Sequence, residues 1–173
     1  MSFKIVVNKY GPLFIELVFD ISILCIFASK ILSNIVPEAI CNLPDDILKN
    51  IRIFQQARAE DCERVKSYYS NKGIACEVLP FFDNIASHLS EAQLIISRSG
   101  ASSVADIGVV GRPSILIPLG SAIRDEQTLN AGPLKKLRAA TVIAEQNLTA
   151  KRLNKAILKI LSSPENASKM AVN

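Results

Sequence analysis

Between Arg98 and Asp106 the chain reads Arg-Ser-Gly-Ala-Ser-Ser-Val-Ala-Asp, small and hydroxyl residues gathered around Gly100. Ser99, Ser102 and Ser103 each bring a hydroxyl that can donate and accept hydrogen bonds. The apolar run Leu94-Ile95-Ile96 comes just before, and a helical stretch, Val104 to Val110, comes just after. Hydroxyls, free backbone N–H groups and the positive end of a helix dipole would then meet beyond a strand end, an arrangement that suits a phosphate. Plainer readings stand beside this one. Gly100 could serve only a tight strand-to-helix turn, and Asp106 could be only a carboxylate near a helix N-terminus.

These residues need a frame, and hydrophobic periodicity outlines it. Leu94–Ile96 is expected as a buried strand, Ser97–Ser103 as a loop, and Val104–Val110 as a helix stopped by Gly111 and Pro113. Ile115–Ile117 is the next strand. Upstream, Ser29–Leu43 reads as a helix containing Pro37, which either kinks it or starts a second piece. Pro44-Asp45-Asp46 starts another short helix. Ile51–Phe54 alternates as a strand does. Ala59–Lys72 is amphipathic, with Cys62, Val65 and Tyr69 on one face and Gly73 closing it. Ala75–Leu79 is a strand, Pro80–Asn84 a loop carrying Phe81 and Phe82, and Ile85–Ser90 a short helix. Downstream come a loop from Leu119 to Ile123, a helix from Arg124 to Leu137 and a strand from Ala140 to Ala144. Thr149 caps a last helix with Leu153, Ile157, Ile160 and Leu161 on its apolar face. Pro164 ends that helix and a polar tail follows. Strands alternating with helices mean an α/β fold, a doubly wound parallel sheet. Ligands in such sheets bind at the carboxyl edge, where the loops Pro80–Asn84, Ser97–Ser103 and Leu119–Gln127 fall.

Composition removes several function classes. A chain of 173 residues suits one domain with a real core. The net charge of +4 comes without a long basic stripe or an aromatic stacking motif, so nothing supports nucleic-acid binding. Lys135, Lys136 and Arg138 form the one tight basic cluster, either a solvated helix end or a contact for anionic lipid or phosphate. Cys25, Cys41, Cys62 and Cys76 are too widely spaced for metal or redox motifs, and His88 is the single histidine. A zinc site is therefore not expected. Reduced thiols in a cytosolic protein account for the cysteines. His88 has no acid or nucleophile at an interpretable spacing and reads as structural or merely exposed. The sequence holds neither G-x-G-x-x-G nor G-x-x-x-x-G-K-[ST], which weakens dinucleotide and P-loop readings. From Leu13 to Leu32 the chain is almost continuously apolar, interrupted by Glu16, Asp20 and Lys30. That stretch is either a buried strand running into a helix or a membrane-seeking segment.

Taken together, Arg98–Asp106, Gly111-Arg-Pro-Ser-Ile-Leu-Ile-Pro118 and Gln127-x-x-Asn130-Ala131 resemble a known family. It is the C-terminal, donor-binding half of the bacterial glycosyltransferase family 28 enzymes that convert lipid I to lipid II in peptidoglycan synthesis. Ser33–Ile40, Gln55-Gln56 and Pro80-Phe81-Phe82 fit the same pattern, so the match runs from about Ala28 to near the C-terminus. The resemblance implies a Rossmann-like domain, the C-terminal half of a GT-B fold, that holds UDP-N-acetylglucosamine without metal or other cofactor. It divides the chain into a divergent apolar segment (1–28), a UDP-sugar-binding domain (29–163) and the polar tail (164–173).

By that resemblance Arg98, Ser99, Gly100, Ala101, Ser102 and Ser103 surround the nucleotide side of the donor. Asp106 stands where the family uses Glu to hold the ribose hydroxyls; two carboxylate oxygens can still accept from a vicinal diol. Phe82 lies where the loop backbone contacts uracil. Glu126, Gln127 and Asn130 fall in the segment that reads the sugar. A core role for Phe81 and Phe82, and a merely polar helix face for Gln127 and Asn130, stay open beside these assignments. The departures are specific. Glu126 replaces an amide or Asp, and Ser121 stands where a His is often found. The family's Gly-rich loop before Ser33 is replaced by Asp20–Phe27, and no glycine occurs between Gly11 and Gly73. Without glycine the backbone takes left-handed angles only at a cost. The family's acceptor domain and its catalytic residues do not map onto the chain.

The expected function is the UDP-N-acetylglucosamine-binding half of a hexosyltransferase that needs an acceptor-domain chain and a lipid-linked acceptor at the membrane. Its expected place is the cytoplasm, with peripheral attachment at the inner face of the plasma membrane. The alternatives are a non-catalytic truncated copy that binds nucleotide-sugar, and the donor subunit of a split glycosyltransferase.

Overall fold

The computed structural model describes residues 19–24 (backbone alone), 29–120 and 125–172. Among these described residues six strands form one wholly parallel sheet: β1 (Phe19–Leu24), β2 (Ile51–Gln56), β3 (Ala75–Leu79), β4 (Leu94–Ser97), β5 (Ser114–Leu116) and β6 (Ala140–Val142). Their order across the sheet is β3-β2-β1-β4-β5-β6. β1 is central, with Ile21 opposite both Ile53 of β2 and Leu94 of β4. The strand order reverses between β1 and β4, and open α/β sheets hold their ligands at the carboxyl side of that point.

The sheet is covered on both faces, and β4 shows why. All four of its residues are buried. Leu94 and Ile96 point into the core beneath α1 (Lys30–Cys41), α3 (Ala59–Ser70) and α7 (Ala150–Leu161). Ile95 points the other way, into the core beneath α4 (Ile85–Glu91), α5 (Ala101–Val110) and α6 (Glu126–Lys136). The period of two along a strand thus sends adjacent apolar residues to opposite layers. Leu32, Val36 and Ile40 of α1, Val65 and Tyr69 of α3, and Leu153 and Ile157 of α7 fill the first layer. Leu89, Ile107 and Ala131 fill the second.

Local chemistry decides where helices begin and end. Pro37 lies inside α1 without dividing it. Proline cannot donate to the carbonyl four residues back, and that carbonyl, on Ser33, accepts instead from Arg64 Nη1 at 3.4 Å. The short α2 (Asp45–Leu48) follows, as Pro44-Asp45-Asp46 suggested. Gly73 and Gly111 close α3 and α5 in the left-handed region, at φ 68° and 59°. Thr149 caps α7, its Oγ1 accepting from the Arg152 N–H at 3.1 Å.

Three expectations are corrected. α5 starts at Ala101, so the small-residue loop is shorter than Ser97–Ser103: Ser97 ends β4, and 101–103 form the first helical turn. Ala and Ser tolerate a first turn well, which periodicity of apolar residues does not register. The strand expected at Ala140–Ala144 ends at Val142, and a 3-10 turn occupies Glu145–Asn147. The polar tail forms α8 (Pro164–Val172), with Pro at its first position and Ala167 and Met170 packed against the larger core. Among the described residues no helix is long and apolar enough to cross a membrane. Of Leu13–Leu32, residues 19–24 form β1 and Lys30–Leu32 open α1; 13–18 and 25–28 lie outside the described residues.

Candidate functional site

The carboxyl edge brings together the ends of β2 to β6 and the start of α5. Gly100 is the N-cap of α5 at φ −61°, extended backbone that any residue adopts, so a left-handed turn is not its reason for being there. The first-turn N–H groups of a helix have no intrahelical partner and face outward past its start; here they belong to Ala101, Ser102 and Ser103. Ala101 and Ser102 are exposed. Ser103 is buried at 2% exposure, and its hydroxyl has no hydrogen-bond partner in the protein. An orphan of that kind costs about 1–3 kcal/mol. Ser103 lines a cleft of about 220 Å³ together with Gln56, Phe81, Phe82, Ile85 and Asp106. Asp106 is exposed and lies three residues along α5 from Ser103, hence on the same helix face.

Opposite α5 the wall is aromatic, and the two phenylalanines divide the roles left open for them. Phe82 is buried, its ring edge-on to Phe54 at 6.4 Å and to His88 at 4.8 Å between centroids. His88 also tilts against Phe54 at 4.4 Å, which gives the single histidine a packing role. The Phe82 side chain is thus spent on packing. Phe81 is 69% exposed at the cleft. Gln56, at the end of β2, is buried and faces the same space. Nothing local in the sequence marks Gln56 as a cleft residue, because its burial depends on β2 lying between β1 and β3.

Beneath α5 lies a polar network. Ser99 is fully buried; its Oγ donates to the Gln127 carbonyl at 2.8 Å, and its carbonyl accepts from Asn130 Nδ2 at 3.2 Å. Gln127 Oε1 accepts from the Leu119 N–H at 2.9 Å. Gln127 and Asn130 are therefore not simply a solvated helix face: they tie α6 to the ends of β4 and β5. Glu126 is exposed in the first turn of α6, after Asp125 in the left-handed region at φ 54°. Ser121 lies outside the described residues.

Arg98 goes elsewhere than the nucleotide-facing position expected for it. It is 1% exposed. Its Nη1 donates to the carbonyls of Ile117 and Pro118 at 3.3 and 3.4 Å, and its Nη2 donates to Ser29 Oγ at 3.0 Å and to Glu145 Oε1. A buried guanidinium needs a carboxylate and further acceptors, and these hold it below the site. The second oxygen of Glu145 accepts from the Gly120 N–H at 2.8 Å. Burial raises the Glu145 pKa, but the hydrogen bonds from Arg98 and Gly120 and the Arg98 charge outweigh it and leave the carboxyl below its ordinary range. No sequence signal marked Glu145; it stood between an expected strand and a helix cap. No group of three or more His, Cys, Asp or Glu among the described residues could hold a metal.

A model of the glycosyltransferase family 28 C-terminal domain matches residues 28–173. The chain belongs to that family. Relatives of this family 28 domain include the UDP-N-acetylglucosamine–N-acetylmuramyl-(pentapeptide) pyrophosphoryl-undecaprenol N-acetylglucosamine transferase of Caulobacter vibrioides (strain NA1000 / CB15N). It is 43% identical over 143 residues, covering 83% of this chain and 40% of that protein. The protein of the same name from Rhizobium meliloti (strain 1021) is 41% identical over 143 residues, 83% of this chain and 38% of that protein. The crystal structure of Acinetobacter baumannii MurG aligns with a TM-score of 0.79 and 29% identity, covering 89% of this chain and 46% of that one. The family 28 domain thus has the fold of the C-terminal half of a GT-B glycosyltransferase, and it spans about 40% of the length of the curated relatives it matches. The replaced Gly-rich stretch falls partly on β1, through Leu24, and partly on 25–27, outside the described residues.

Proposed function

We propose that the chain is the UDP-N-acetylglucosamine-binding half of a peptidoglycan N-acetylglucosaminyltransferase. The observation that carries this reading is the cleft at the start of α5, where the buried, unpartnered Ser103 hydroxyl and the Asp106 carboxylate face an apolar wall. A nucleoside diphosphate complements each part. The pyrophosphate takes the α5 N-terminus and its hydroxyls. The ribose diol donates to Asp106. The base lies against the Phe81–Phe82 loop, its edge within reach of the backbone and the Gln56 amide. Glu126, Gln127 and Asn130 stand at the sugar end. The names of the relatives supply the donor and the lipid-linked acceptor.

In the proposed reaction the acceptor hydroxyl attacks the sugar anomeric carbon and gives up its proton to a base on the acceptor side, UDP departs with the electron pair of the broken bond, and configuration inverts. The acceptor side lies outside the matched stretch, so turnover depends on an acceptor domain, in the same chain or in a partner at the membrane. A second reading is a module that binds UDP-sugar without turnover, favoured by the glycine-free stretch at Asp20–Phe27.

Calorimetric titration with UDP and UDP-N-acetylglucosamine tests the donor site. Asp106→Ala is expected to weaken both ligands by roughly 10- to 100-fold, the equivalent of a hydrogen bond to a charged group. Its melting temperature should not change, because Asp106 is exposed. No heat of binding from the wild-type chain at millimolar ligand would sink the reading. Turnover of purified lipid acceptor by this chain alone would overturn its dependence on an acceptor domain.

A further inference from the structure

The donor-site reading leaves a half-buried carboxylate at the carboxyl edge without a part. Glu145 sits on the turn after β6, far along the chain from the cleft residues, yet both its oxygens are committed at the carboxyl edge. Oε1 accepts from Arg98 and Oε2 from the Gly120 N–H at 2.8 Å. Arg98 in turn holds the carbonyls of Ile117 and Pro118, at the end of β5, and the Ser29 hydroxyl that precedes α1. One residue before Gly120, the Leu119 N–H donates to Gln127 Oε1 at 2.9 Å. Gln127 is fixed a second time, its carbonyl accepting from Ser99 Oγ at 2.8 Å. A continuous set of bonds therefore runs from Glu145 through Gly120 and Leu119 to Gln127, at the start of α6.

We infer that Glu145 is a positioning residue for the sugar end of the donor site: through Gly120 and Arg98 it sets where Gln127 and its neighbours on α6 stand relative to α5. The inference rests on the proposed UDP-sugar reading. The chemistry calls for a carboxylate. Each oxygen meets a different donor, one a guanidinium and one a backbone N–H. Glutamine has a single acceptor oxygen. Its amide nitrogen would confront either Arg98 or the Gly120 N–H, donor against donor, and one anchor would be lost. Recognition groups must be held to about 0.5 Å to be effective, so an anchor released at Gly120 is felt at Gln127. Gly120 also lies against the carboxylate, since a Cβ built there would stand 3.1 Å from Glu145 Oε2.

The test reads sugar recognition separately from nucleotide binding and from stability. Wild type and Glu145→Gln are titrated with UDP, UDP-N-acetylglucosamine and its 4-epimer UDP-N-acetylgalactosamine, and each protein is melted. The expected result is that the variant loses about tenfold in the affinity ratio between the two epimers while its affinity for UDP changes by less than about threefold. A lower melting temperature with an unchanged epimer ratio assigns Glu145 to stability alone and overturns the inference. So does a wild type that binds both epimers equally. If Glu145→Gln does not fold, Gly120→Ala decides by the same ratio, because its Cβ would press on Glu145 Oε2 at the Gly120 anchor while the carboxylate and Arg98 are both still present. A wild type that binds no UDP instead removes the reading on which the inference stands, an outcome distinct from the others.

Discussion

Ser103 and Arg98 show how differently two polar residues of one short segment can be used. Arg98 is buried with both its Nη atoms bonded to acceptors, so these ends of the guanidinium are spent on the carboxyl edge and not on a ligand. Ser103 is buried with no partner, so the folded protein bears a cost that a bound phosphate would relieve. The two effects predict opposite signs for one substitution. Ser103→Ala should raise the unfolding free energy by about 1 kcal/mol, since the orphan hydroxyl is removed. The same variant should bind UDP about tenfold more weakly. Urea titration and calorimetry on one preparation measure both. A stability loss with unchanged UDP affinity would place the hydroxyl in the packing instead of the site.

Elements are held by their ends as much as by their faces. α5 begins at the proposed phosphate cradle, and its other end must not shift if that cradle is to stay in place. Gly111 closes it at φ 59°, and a Cβ there would stand 3.1 Å from the Ala171 carbonyl of α8. Gly111→Ala therefore carries two penalties, left-handed strain and a backbone contact that a flexible side chain cannot relieve. A destabilisation of about 1–3 kcal/mol follows. In a chain of this size that lowers the melting temperature by about 2–4 °C per kcal/mol. Circular dichroism melting checks it, and an unchanged midpoint would mean that α8 gives way without cost. The contact also gives α8 a purpose: it backs the end of the helix whose start faces the cleft.

For the whole molecule, the carboxyl edge is a shared junction of β4, β5, β6 and α1, and Glu145 is its one carboxylate in contact with Arg98 among the described residues. Its folded pKa lies below the ordinary value of 4.5. A carboxyl lowered on folding adds stability that is complete above its unfolded pKa and is lost as pH falls through the folded one. Asp61 follows the same rule. The hydrogen bond from Arg64 lowers its pKa against the effect of burial, and Arg58 adds a second bond. The urea midpoint should therefore be flat above about pH 5 and fall on acidification below the ordinary carboxyl range. In Glu145→Gln the Glu145 share of that fall should be absent, giving a shallower acid limb. Acid limbs that superpose would show that this carboxylate does not contribute.

The amino-acid sequence determined the layers of this protein. A continuous apolar run at Leu94–Ile96, apolar residues at period two in Ile51–Phe54 and apolar residues at helical spacing in Leu153–Leu161 declare a buried strand, a strand and a helix from local pattern. Gly73, Gly111 and Thr149 marked ends because their reasons are local: a left-handed angle, or a hydroxyl three residues from an N–H. The sequence also marked the α5 start as a place for an anion, since a helix N-terminus carries its own dipole. What it left open needed partners distant in the chain. Periodicity shows that Phe81 and Phe82 are apolar, but only the packing of Phe54 and His88 decided which is buried. It shows that Arg98 is charged, but the carboxylate that claims it lies 47 residues away on a turn with no local signature. Gln127 and Asn130 read equally well as a polar face until Leu119 and Ser99 were brought beside them. Hydrophobic burial is encoded residue by residue, whereas the pairing of buried polar groups is settled only when strand order brings their ends together.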